Sequence, residues 1–158
     1  MPTPSIPERV NLRLSCVLHA AIFIMALPAF ATLGEDVSSI QSDQAHAKAS
    51  VRVLVNQLYS VHEMQAPSGT KVREFVSPAG TVFGVAWQGF VPDLRQLLGE
   101  HFDEYTQAAQ TPSIRRGRGL HIETGDLVFD SGGHMRFITG RAYLRSKLPD
   151  GVSADDIR

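Results

Sequence analysis

Cysteine is almost absent from this sequence. Cys16 is the only one, and it lies in an apolar N-terminal stretch. The chain beyond that stretch can enter an oxidising compartment, but it has no disulfide to hold it and must rely on a packed core. A lipid-bearing cysteine would follow the apolar run after small residues. Cys16 instead opens the run behind Arg13-Leu14-Ser15, which argues against a lipoprotein. Long apolar runs are lacking too. Residues 14–27 form the longest, short of the roughly 20 residues that span a bilayer. A strong charge of either sign is also missing. Setting aside Glu8, Arg9 and Arg13 leaves 13 basic and 15 acidic residues, a net of −2, which gives no general case for nucleic acid.

Several chemical signatures are absent as well. There is no Gly-x-Ser-x-Gly elbow, no phosphate loop and no dinucleotide glycine fingerprint. His46, His62, His101, His121 and His134 show no His-x-x-x-His spacing, so no metal and no cofactor are expected.

What is present begins with an export pattern. Arg9 and Arg13 precede the apolar run, Pro28 breaks it, and Ala29-Phe30-Ala31 offers small residues at the positions a signal peptidase reads. Residues 1–31 are read as a secretory signal peptide, cleaved between Ala31 and Thr32. Residues 32–158 then form one domain with no transmembrane segment. The expected location is the periplasm, with outer-membrane association or release as further destinations.

The string APSGTKVREFVSPAGT (residues 66–81) repeats its punctuation: Pro, a small residue, Gly and Thr occur twice. Proline fixes φ for a type I turn, and glycine closes a three-residue hairpin loop in the left-handed region. Two such turns predict a meander of three strands at 59–65, 70–77 and 81–88. Counting outward from the turns puts Val61 by Phe75 by Phe83, Glu63 by Arg73 by Val85, and His62 by Glu74 by Gly84. The third strand is apolar on both sides and belongs inside the sheet. Residues 51–55 read as a further strand, and 35–48 as a thin helix. Pro92 and Asp93 open an amphipathic helix over 92–109. Strands return over 120–144, separated by Thr-Gly-Asp and Ser-Gly-Gly turns, with Gly140 a candidate bulge. Residues 148–158 read as a surface tail. The order predicts an α+β fold built on one mainly antiparallel sheet.

Two clusters carry candidate chemistry. His62 and Glu74 lie side by side in the predicted register, below space left by Gly84. A carboxylate there would raise the imidazole pKa and orient it as a base; the plainer reading is a half-exposed cross-strand pair. Arg115, Arg116 and Arg118, with Arg136, Arg141 and Arg145, offer an arginine surface for an anionic group or a partner's acidic patch; the plainer reading is a solvated loop. Asp130-Ser-Gly-Gly-His134 resembles an acid–serine–histidine cluster but reads better as a hairpin turn. Trp87 reads as core, and Phe90 as partly exposed.

The segments Tyr59-Ser-Val-His-Glu63, VREFVSPAGTVF (residues 72–83), Val85-Ala-Trp87 and Pro92-Asp-Leu-Arg-Gln-Leu-Leu-Gly99 resemble the bacterial domain-of-unknown-function family 2844. So do Ser131-Gly-Gly-His-Met-Arg136, Gly140-Arg-Ala-Tyr143 and Gly151-Val-Ser-Ala-Asp-Asp-Ile157. The resemblance implies an exported product of Gram-negative bacteria. It carries over no catalytic residue, since that family has no assigned activity. The first expectation is therefore a non-catalytic envelope protein that binds a partner protein or an anionic envelope component. The alternatives are a small hydrolase or isomerase using His62 and Glu74, and a subunit that assembles with its own copies through an exposed sheet edge.

Overall fold

The computed structural model describes residues 32–36, 51–65, 68–111, 119–134 and 137–158. The signal peptide reading and the Arg115, Arg116, Arg118 and Arg136 positions lie outside these residues.

Seven antiparallel strands form one sheet in the order β1-β2-β3-β4-β7-β6-β5. The strands are β1 Val51–Val55, β2 Ser60–Gln65, β3 Lys71–Val76, β4 Val82–Gly89, β5 Gly119–Thr124, β6 Leu127–His134 and β7 Phe137–Leu144. Two meanders, β1 to β4 and β5 to β7, meet where β4 pairs with β7. Between them the chain crosses one face of the sheet as helix α1 (Leu94–Leu98), a 3-10 turn (Gly99–His101) and helix α2 (Phe102–Ala109). The fold is α+β and dominated by its sheet.

The two repeated turns form as their glycines require. Gly69 and Gly80 both hold φ near +85°, at +86° and +85°. The threonine after each turn has its own task. The Thr70 hydroxyl accepts from the Phe90 N–H at 3.0 Å and donates to the Phe90 carbonyl at 3.1 Å, tying the far end of β4 back to the turn. Thr81 instead bridges to Asp36, which anchors the start of the described chain.

The β2–β3 register is the predicted one in all six pairs, including Glu63 with Arg73 and His62 with Glu74. The β3–β4 register differs. Val76 pairs with Val82 as expected, but Phe75 pairs with Gly84 and Glu74 with Val85. Phe83 is the extra residue of a bulge, so Phe83 and Gly84 turn toward the same face. Ile157 occupies the space that Gly84 leaves: a Cβ there would lie 2.9 Å from the Ile157 Cδ1.

Other expectations are also corrected. Glu35 and Asp36 do not start a helix: the Gly34 N–H donates to the Val82 carbonyl, and the Val82 N–H donates to that of Glu35. Residues 37–48 of that expected helix lie outside the described residues. The long helix begins at Leu94, with Asp93 as its cap accepting from the Arg95 and Gln96 N–H groups, and it breaks at Gly99, where the Thr32 side chain leaves no room for a Cβ. Ser131, Gly132 and Gly133 do not turn; β6 runs through them to His134, which pairs with Phe137. Gly140 makes no bulge and sits in regular register opposite Trp87 and Ser131. Its lack of a side chain is what admits the Trp87 indole, which would lie 2.1 Å from any Cβ there.

The core has a layer on each side of the sheet. The helix side packs Val72, Val85, Trp87, Leu97, Leu98 and Phe129, among others, with Leu33 fully buried beside them. The opposite side packs Phe75, Phe83, Val128, Tyr143 and Ile157. Each such side chain contributes about 1.5–3 kcal/mol on burial. The expected surface tail is part of this second layer. Val152 and Ala154 pack on it, and Ile157 is fully buried. A Ser153–Asp156 capping box shapes its last turn, with the Asp156 carboxylate accepting from the Ser153 N–H at 2.8 Å.

Candidate functional site

The strand register lines up charged residues across the sheet on the face that carries the C-terminal segment. Pair by pair, the row reads Arg52, Glu63, Arg73, Ala86, Arg141, Asp130, His121. Neighbours of opposite sign make contact. The Arg73 Nε donates to Glu63 at 2.9 Å, and the Arg141 Nε donates to Asp130 at 2.9 Å. The His121 Nδ1 lies 2.5 Å from the other Asp130 oxygen. Beyond the row, Glu123 lies 3.3 Å from the His121 Nε2 and 3.3 Å from the Arg145 Nη2.

The two arginines also hold the C-terminal segment down. Arg73 Nη1 donates to the Arg158 carbonyl at 2.6 Å, and Arg141 Nη1 donates to the Ala154 carbonyl at 2.5 Å. Among the described residues, Nη2 of each has no hydrogen-bond partner. Between this docked segment and β5 runs an open groove of about 820 Å³. Its lining carries four cationic side chains, Lys71, Arg73, Arg141 and Arg158, and the carboxylate of Asp130, while Glu63 on Arg73 and Asp155, 3.9 Å from Arg141, lie just outside it. Ala86, Gln88, Thr139 and Gly132 supply a low floor. The arrangement suits an extended anionic group lying along the strands, held by guanidinium forks and one lysine.

The electrostatics of the row follow from its contacts. The hydrogen bond to Asp130 raises the His121 pKa, helped by the charges of Asp130 and Glu123. Partial burial pushes the Asp130 carboxyl up, but hydrogen bonds from His121 and Arg141 outweigh it and hold the group below its usual range. The Arg73 hydrogen bond likewise lowers Glu63. A raised histidine stabilises the fold below its unfolded pKa of about 6.5, and this contribution is lost as pH rises through the folded value. A lowered aspartate stabilises above its unfolded value of about 3.8, and this is lost as pH falls through the folded one. The network is therefore worth most between the two. Proton NMR titration is expected to place the His121 midpoint above that of His62, whose pKa burial lowers. Asp130→Asn should bring His121 back toward its ordinary value. A His121 midpoint at or below that of His62 would contradict the pairing.

The family model described as "Protein of unknown function (DUF2844)" matches residues 29–157. The chain belongs to this family. No curated protein and no solved structure matches it. No helix among the described residues is long and apolar enough to cross a membrane.

In this member of DUF2844 the residues singled out from sequence separate. Of the six arginines, Arg141 reaches the groove, and Arg145 pairs with Glu123 beside it. His62 and Glu74 do share a face and a row. The open space over Gly84 is not theirs, since Glu74 stands opposite Val85 and Ile157 fills the gap on the other side of the sheet. Glu74 is fully buried, and His62 has its pKa lowered by burial rather than raised. His62 instead lines a separate open cavity of about 390 Å³ beside Ser60 and Val76, and Glu74 is not part of its lining. His121 with Asp130 is the pairing that sequence reading passed over. The signal was available: a two-residue turn at Gly125-Asp126 pairs Thr124 with Leu127, and counting back three places sets His121 beside Asp130. Among the described residues, no group of three or more His, Cys, Asp or Glu side chains is placed to hold a metal ion.

Proposed function

We propose that this protein is an exported, non-catalytic binding protein of the bacterial envelope, and that it takes an extended anionic component of that envelope into the groove beside its C-terminal segment. The observation that carries the reading is the groove's lining, where Lys71 and Arg158 join Arg73 and Arg141, whose Glu63, Asp130 and Asp155 partners leave a net positive edge over a floor of small and polar residues. Export is supported by the N-terminal pattern of residues 1–31. It also fits that Leu33, two residues beyond the expected cleavage point, is already fully buried in the core.

An enzymatic reading has less support. Asp130 orients His121 as it would a general base, and both line the groove, but the His121 Nε2 lies 3.3 Å from the Glu123 carboxylate. A histidine between two carboxylates serves an ion network.

The test uses a short oligogalacturonate as the anionic probe and its methyl ester as the uncharged control. Calorimetry reports the binding, because the ring of Trp87, the only tryptophan, packs with Phe129 on the helix side of the sheet, away from the groove. The acid should bind, weaken as salt rises, and exceed the ester. Combined Lys71→Gln and Arg158→Gln should weaken binding about tenfold, or about 1.4 kcal/mol, with the melting temperature unchanged. Equal binding of acid and ester, or no loss in the double variant, would sink the assignment.

A further inference from the structure

The β1 edge of the sheet bears none of the ionic cover seen at the other edge. β5 carries His121 and Glu123 in the ion network, whereas β1 reads Val51-Arg-Val-Leu-Val55 with one charge. Val53 is 49% exposed, Leu54 45% and Val55 78%, and Leu58 in the following turn is 42% exposed. Edge strands are ordinarily protected by charges, bulges or prolines, and this one has only Arg52.

The backbone pattern defines what the edge offers. The Asn56 N–H donates to the Tyr59 carbonyl at 3.0 Å, closing the β1–β2 hairpin. In an antiparallel ladder, hydrogen-bonded and non-hydrogen-bonded pairs alternate. Counting from that bond, Leu54 and Arg52 bond inward to β2. Val51, Val53 and Val55 turn their N–H and C=O groups outward, to a side where no described strand pairs. The outward set is three valines, symmetric about Val53.

We propose that β1 pairs antiparallel with β1 of a second copy across a two-fold axis through Val53, joining two seven-stranded sheets into one. This does not rest on the groove or its ligand. The symmetry of the strand favours a second copy over a foreign strand. Under the two-fold, Val53 meets Val53 and Val51 meets Val55 at hydrogen-bonded positions. Arg52 meets Leu54 rather than itself, so no like charges face each other. The pairing covers Val53, Leu54 and Val55 and uses the outward backbone groups, as in strand addition to a sheet edge. Because the shared strand is short, the dimer should be concentration-dependent.

The test is done on the full chain in a Cys16→Ser background, which removes its only cysteine. Light scattering over a concentration series should show mass rising toward twice that of the chain, and Val53→Lys, which sets two ammonium groups face to face, should hold it at the single mass. Disulfide trapping then reads the register. Arg52→Cys and Leu54→Cys copies, mixed under mild oxidant, should join to each other, because a non-hydrogen-bonded pair brings Cα atoms to about 4.5 Å, within disulfide range. Neither variant alone should join to itself to a comparable extent. A single-chain mass at every concentration, a dimer that survives Val53→Lys, or trapping no greater in the mixture than in each variant alone would overturn the proposal.

Discussion

Replacing Ile157 by alanine is expected to cost about 2–4 kcal/mol, a large loss for a residue one place from the end of the sequence. Ile157 is fully buried, and its side chain fills the space over Gly84 between Phe83 and Tyr143. Shortening it leaves a cavity under the C-terminal segment that the rigid sheet cannot collapse to fill. The segment is otherwise held by Val152, Ala154 and the two arginine-to-carbonyl bonds, so the loss should loosen it as a unit. Urea denaturation should show the lower midpoint. Binding of the anionic probe should fall as well, because the loosened segment forms one wall of the groove. An unchanged midpoint would mean that the segment contributes nothing to the fold.

Gly140→Ala is expected to be comparably severe, at about 3 kcal/mol, the upper end of overpacking penalties. The new Cβ would sit 2.1 Å from the Trp87 Cζ2 and 2.4 Å from its Cε2. The ring has little room to retreat. Phe129 lies 5.5 Å from it centre to centre, with Tyr105 behind at 4.6 Å from Phe129. A fall in melting temperature on the order of 10 °C should follow for a chain of this size. Adding Trp87→Phe should recover part of the loss, because it withdraws the atoms that clash; two independent costs that simply add would contradict the contact.

The legible parts of this fold are those where a turn fixes the count. Pro78 and Gly80 set the hairpin, and the β2–β3 pairs follow from Gly69 in the same way. The bulge at Phe83 was hidden because β4 is apolar on both faces, so a one-residue shift exposes nothing and leaves no trace in the alternation. Ser131-Gly-Gly133 looked like a turn because glycine and serine are poor strand formers. Cross-strand pairing to β7 overrides that preference. The C-terminal segment looked like solvent-exposed tail because its apolar residues, Val152, Ala154 and Ile157, are scattered among polar ones, and only the face they meet makes them core. The groove was hidden for the same reason: Arg73, Arg141 and Arg158 come from distant parts of the sequence and meet only once the sheet and the segment are assembled.

The most direct test of the groove is an amide NMR titration of the isotope-labelled protein with oligogalacturonate. The account predicts shifts concentrated at Lys71, Gln88, Thr139, Arg141 and Arg158, lost when Lys71 and Arg158 are both replaced by glutamine. Shifts clustered elsewhere, or none at concentrations where the probe binds, would contradict it.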